Sequence, residues 1–153
     1  MRYINKIAEA IITLLFVAIV IVGCLQVFNR FVLNMSLSWS EEFQKFGFVW
    51  LVFLAIPVAY NRAAHLRVDT FFHLFSQRFQ KVMLWVIDIM WIGLSLSLMA
   101  HTWRLMQVTQ YQMSPGLGVS MSVVYAGMAV GGAYLLLCVL ANILKRLTSR
   151  TPA

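Results

Sequence analysis

Residues Ser38–Asp69 read SWSEEFQKFGFVWLVFLAIPVAYNRAAHLRVD. Ser38 followed three positions on by Glu41 has the spacing of a capping box, and Trp39 has the chemistry of an interface anchor. From Phe46 to Tyr60 nothing is charged. With the amphipathic turn before it, this run reaches about the 20 residues that a bilayer core requires. Arg62, His65, Arg67 and Asp69 then crowd into positions 61–69. The stretch predicts a transmembrane helix with acid at its start and base at its end.

Working outward, the 153 residues are 61% hydrophobic and 11% charged, with a mean hydropathy of +0.82. A soluble domain of this size could not bury so much apolar surface. We therefore expect one all-α integral membrane domain over residues 1–153, with spans at about 7–33, 43–60, 82–100 and 119–143, forming a small four-helix bundle. The net charge of +7 forms no contiguous basic face, which argues against nucleic acid as a partner and for membrane topology. With both termini in the cytoplasm, Arg2, Lys6, Arg62, Arg67, Arg78, Lys81, Lys145, Arg146 and Arg150 lie inside, against Arg30, Lys45 and Arg104 outside. That bias predicts N-in/C-in.

The first apolar run follows Arg2 and Lys6 as a signal peptide would. It continues past Cys24 through Leu25, Val27, Phe28 and Phe31, so we read it as a long span that tilts or projects. Two readings fit its ends. Either Glu9 and Arg30 snorkel to their interfaces, or Arg30 meets Glu41 or Glu42 across the short outer loop. Cys24 and Cys138 differ in depth by roughly 15 Å at helical rise, too far for a disulfide. Both read as small apolar packers.

Pro57 removes one backbone donor and predicts a bend in the second span, functional or merely tolerated. After it, Asp69 to Gln80 places Phe71, Phe72, Phe75 and Phe79 at helical spacing opposite His73 and Gln77, and predicts a short interfacial helix over 69–80. Asp88 lies about 10 Å into the third span at helical rise. An intramembrane acid suggests either a relay or a pair. Few polar steps follow it, so we expect Asp88 to pair with a base or accept a hydrogen bond. His101 to Gly118 reads as a polar outer loop ending in a Ser114-Pro115-Gly116 turn. In the fourth span Gly127 and Gly131 form a GxxxG, which supports close helix packing.

His65, His73 and His101 lie at unmatched depths for haem, and no metal spacing joins them. We expect no cofactor, no metal and no enzymatic chemistry.

Taken together, Asn29-Arg30-Phe31-Val32-Leu33-Asn34, Ser38-Trp39-Ser40-Glu41-Glu42, Trp50 to Leu54 and His65-Leu66-Arg67-Val68-Asp69 resemble the small (Q-type, DctQ-like) membrane subunit of TRAP transporters, the tripartite ATP-independent periplasmic carriers. The likeness covers nearly the whole chain, and Gly116, Ser120 and Tyr125 suit the start of that family's fourth helix. Ala55, Pro57 and Ala129 depart from the pattern, which bears on the helix bends. The resemblance implies a scaffold in the bacterial inner membrane, holding a large elevator-type subunit that carries sodium and organic-acid sites. It further implies that a periplasmic binding protein delivers the substrate. Candidate docking residues are then Arg30, Trp39, Glu41, Glu42, His65 and Asp69; for the two carboxylates, plain stabilisation of the helix dipole is the competing reading. An autonomous four-helix transporter and the membrane anchor of an oxidoreductase are the rival classes. The first wants an acid in mid-helix one, where Glu9 does not lie, and the second wants histidines at matched depth.

Overall fold

The computed structural model describes residues 2–66 and 77–148. They form four long helices: α1 (Arg2–Val32), α2 (Ser38–Leu66), α3 (Gln77–Thr109) and α4 (Met121–Thr148). All four are long and apolar enough to cross a membrane, as an all-α membrane protein requires. The predicted interfacial helix over 69–80 lies mostly outside the described residues. Its last four positions, 77–80, are the first turn of α3.

The helices outrun the spans read from the sequence. At 31 residues α1 is about 46 Å long against a hydrocarbon core of about 30 Å. The largest difference is in α3, which stays helical through His101–Thr109, where the polar composition predicts a loop. Trp103 to Val108 contain no glycine or proline, so polarity alone does not stop the helix there. The α3–α4 loop proper is shorter, about 110–120.

Nor is the arrangement a closed bundle. Helix α1 packs on α2, α2 on α4 and α4 on α3, giving a row with α1 and α3 on its flanks. The central helix α4 buries the most, and the core of Ala8, Val58, Tyr60, Tyr134, Leu135, Cys138 and Val139 gathers at the end of the row that carries both termini. The most apolar window of α1 buries no residue, so Leu14, Phe16, Ile21 and Phe28 are exposed within the chain.

Close approach in the middle of the row depends on glycine. A Cβ on Gly127 would come within 2.8 Å of the Trp50 ring, and one on Gly131 would collide with the Phe53 carbonyl. The GxxxG of α4 is thus spent on α2, inside the chain. Trp50 Nε1 donates to the Val123 carbonyl at 3.2 Å, which fixes the indole over Gly127. On the other side of α4, Asp88, Ser95, Thr102 and Thr109 of α3 are all buried at seven-residue intervals. That is the repeat of left-handed helix pairing, here with short polar side chains that let the helices come close. Ser95 and Thr109 return their hydroxyls to the Trp91 and Leu105 carbonyls, so burying them leaves no unpaired donor.

At the loop-bearing end, α1 closes at Asn34, the one described non-glycine residue with positive φ (52°). The Leu33 and Met35 amides both return to the Asn29 carbonyl. Asparagine tolerates this left-handed turn where a branched residue would not.

Candidate functional site

The residues singled out from the sequence fall into two polar regions, one at each end of the row, with a third at the Asp88 level of α3.

The loop-bearing end is organised by Glu42. Its side chain leaves the first turn of α2 and inserts into the turn before α4. Ser114 Oγ donates to Oε2 at 2.8 Å, the Leu117 amide to Oε2 at 2.9 Å, and the Gly116 amide to both oxygens at 3.0 Å. Gly116 is required by proximity, because a Cβ there would stand 2.9 Å from the carboxylate and 3.1 Å from the Ser38 carbonyl. The turn is further held by Ser114 N to Val119 O at 2.9 Å and by Gly118 at φ 64°. The Ser114–Leu117 backbone is thus an anion cradle, and Glu42 is the anion.

Glu41 has a different fate. It pairs with Lys45 one turn along, at 2.8 Å, and does not turn back to Ser38. The expected capping box is therefore not formed; Lys45 wins because a charged partner at i+4 outweighs a neutral amide. Ser40 is buried, with its hydroxyl on the Leu37 carbonyl at 2.7 Å. Trp39 is half-buried. Arg30 is exposed, and among the described residues it has no ion-pair partner, so the pairing with Glu41 or Glu42 does not occur.

At the opposite end, Glu9 of α1 does not simply snorkel but pairs with Arg62 of α2 at 2.9 Å. Beside it runs a small polar network. Asn61 Nδ2 donates to Asn5 Oδ1 at 3.2 Å and to Cys138 Sγ at 3.0 Å, and Tyr134 OH donates to Asn5 Oδ1 at 2.7 Å. Three helices meet in it. Cys138 is more than an apolar packer, since its sulfur accepts a hydrogen bond; Cys24 is exposed and also free. His65 belongs to α2 but its side chain, and all of Asp69, lie outside the described residues.

Asp88 is 3% exposed and accepts from Arg146 Nη1 at 2.7 Å across the α3–α4 seam. The base expected for this acid is thus on the fourth helix. Nothing in the one-dimensional pattern joins positions 88 and 146, because a long arginine stem reaches between helices. A further contact missed from sequence is Gln44 Nε2 to Gln26 Oε1 at 2.5 Å, which ties α1 to α2 towards the loop-bearing end.

This chain can now be placed among known proteins. The family described as "Tripartite ATP-independent periplasmic transporters, DctQ component" matches residues 19–149. The chain belongs to this family. A Haemophilus influenzae protein named for a TRAP transporter small permease is 26% identical over 147 residues, which cover 94% of this chain and 87% of the relative. Two longer relatives match over 81 residues. They are the isethionate TRAP transporter permease DctMQ of Oleidesulfovibrio alaskensis, at 35% identity, and the sialic acid TRAP transporter permease SiaT of Haemophilus influenzae, at 36%. The aligned part is about half of this chain but only 13% of the length of each of those two. The chain is thus a TRAP small permease subunit, a membrane-embedded part of a transporter. In that light the WSEE stretch, Trp39 to Glu42, gains a concrete structural role, because its second carboxylate folds the turn that leads into α4.

Proposed function

We propose that this subunit is the fixed scaffold of a sodium-coupled TRAP transporter for organic acids in the bacterial inner membrane, holding a large elevator-type subunit and helping to dock a periplasmic binding protein. The observation that carries the reading is α1, a 31-residue helix that packs on α2 at one edge of the row and exposes apolar side chains along its length. A second support is the pair of relatives in which a segment like this chain is part of a far longer permease. Segments fused in one protein are close neighbours there, and the separate chain fits the same place. Those relatives are named for isethionate and for sialic acid, both organic acids, and that substrate class is the one carried over. Sodium coupling comes from the family resemblance alone.

The charged groups suit support better than transport. Asp88, Glu9 and Glu42 are each engaged within the chain, in contacts that hold helices and turns together. In this reading Arg30, Trp39 and Glu41 are the side chains at the loop-bearing end that meet a partner, and Glu42 contributes through the turn it holds. His65 and Asp69 would act at the other end.

The test is reconstitution of all three components in proteoliposomes. An inward sodium gradient should drive organic-acid uptake, and leaving out this subunit should abolish both uptake and co-purification of the complex. Undiminished uptake by the large subunit and binding protein alone would overturn the scaffold role. Uptake indifferent to sodium would overturn the coupling.

A further inference from the structure

Helices α1 and α2 are tied together at both ends, come close again at Ile19 and Gly47, and leave a gap between that approach and the Glu9–Arg62 pair. Gln26–Gln44 closes the loop-bearing side, and Asn5–Asn61 with Glu9–Arg62 closes the other. Between these ties is a groove of about 390 Å³, within the usual range for a small-molecule site. Its walls are Ile12 and Thr13 of α1 and Ala55 and Ala59 of α2, and its mouth is formed by Glu9 and Arg62. The Thr13 hydroxyl is spent on the Glu9 carbonyl at 2.8 Å, so only its methyl group is left for a ligand. The groove is apolar along its length and charged at one end.

The charge at that end has a particular form. Arg62 and Glu9 touch through one contact, Nη2 to Oε1 at 2.9 Å, and their side chains are 69% and 40% exposed. Among the described residues neither has a further partner. Among the described residues the other guanidinium N–H groups and the second carboxylate oxygen are therefore unused, side by side, where the groove opens. An unused donor array beside an unused anionic acceptor complements a phosphate carrying a nearby ammonium.

We propose that the α1–α2 groove binds one phospholipid with an amine-bearing headgroup, its phosphate on Arg62, its ammonium on Glu9 and one acyl chain between Ile12, Thr13, Ala55 and Ala59. The lipid comes from the leaflet at the end of the row that carries the termini. Once seated, it fills the gap between the Glu9–Arg62 pair and the Ile19–Gly47 approach and holds α1 at a fixed angle to α2. A purely anionic headgroup would satisfy Arg62 but leave Glu9 facing it as a like charge.

The test uses the full chain, extracted from membranes and equilibrated with equal parts phosphatidylethanolamine and phosphatidylglycerol, then analysed by native mass spectrometry. The expected result is one retained lipid, with the amine lipid preferred by about fivefold, which is the reach of one partly exposed ion pair. Glu9→Gln should remove the preference but keep the retention. Ala59→Trp and Thr13→Trp fill the groove from opposite walls, and each should reduce retained lipid by about fivefold or more. Two variants from different helices are used so that a folding defect in one does not decide the question. Equal retention of the two lipids by the unaltered chain would overturn the proposal. So would retention unaffected by both tryptophans, or a photo-crosslinker at position 13 that captures a polypeptide of the assembled transporter and no lipid.

Discussion

Removing one side of the Asp88–Arg146 pair should cost more than removing both. Arg146→Met keeps an apolar stem of similar length and deletes the guanidinium. The Asp88 side chain, 4% exposed, then faces the α3–α4 seam without its base. Breaking a buried pair from one side costs about 3–5 kcal/mol. The Arg146 side chain is 36% exposed, so solvent already screens part of the attraction, and the lower end, about 3 kcal/mol, is the right expectation. Asp88→Leu leaves the guanidinium instead, and a long stem can carry it to the headgroups, for a cost of about 1 kcal/mol or less. The double variant places two apolar side chains in the seam and should be close to neutral. The expected order is therefore Arg146→Met worst, Asp88→Leu mild, and the double variant better than Arg146→Met by about 3 kcal/mol; measured against the sum of the two single costs, the coupling is then about 3 kcal/mol, the upper end for contacting residues. Denaturant titration of the detergent-solubilised protein, followed by circular dichroism, measures all four corners of the cycle. Strict additivity of the two single costs would refute the argument, because it would mean that the acid and the base do not depend on one another.

Two further expectations come from the row itself. Glu42→Ala empties the cradle at Ser114–Leu117, and losing a charge-assisted bond worth about 1.5 kcal/mol should speed amide exchange at Gly116 and Leu117 by about tenfold, read by hydrogen–deuterium exchange; unchanged exchange would mean that the turn holds itself. Gly131→Val drives a side chain into the Phe53 carbonyl and should cost about 1–3 kcal/mol or more in the same denaturation assay, whereas Gly93→Ala, with open space around it, should be neutral or slightly stabilising.

The four helices, the packing use of Gly127 and Gly131 and the need of Asp88 for a partner were all legible in the sequence. Each is written in local composition: apolar length, small residues one turn apart, an acid among apolar neighbours. What was not legible depends on direction in space. Glu42 and Gly116 are 74 positions apart, and no pattern around either tells that the turn's amides point at the first turn of α2. The seam of Asp88, Ser95, Thr102 and Thr109 was hidden because serine and threonine on a membrane helix read equally as surface or as interface. The row in place of a bundle was hidden for a related reason. Helices that are apolar nearly all round do not announce which face meets protein and which meets lipid. The overlong α3 is a different case: the polar character of His101–Thr109 suggested a loop, yet nothing there breaks a helix.

A scaffold beside a moving neighbour has a requirement that a self-sufficient bundle does not. It must keep its own shape while one of its faces exchanges partners. In a bilayer, apolar contact alone gives little drive for helices to associate, since lipid tails are as apolar as leucine. A helix at the edge of a row would then be free to swing. In this chain α1 packs an inward stripe through Ala8, Ile12 and Ile19 and adds polar contacts near its two ends, Asn5 and Glu9 at one and Gln26 at the other, while the apolar residues of its outward face stay exposed. Polar ties add direction to that packing, since each fixes one point of α1 against a particular residue of α2. The cost of fixing α1 is thus met inside the subunit, before any partner arrives, and the apolar face is left available at an already defined angle. Under the scaffold role proposed above, this preorganisation would let a small subunit widen the stationary part of a transporter without contributing a substrate site of its own.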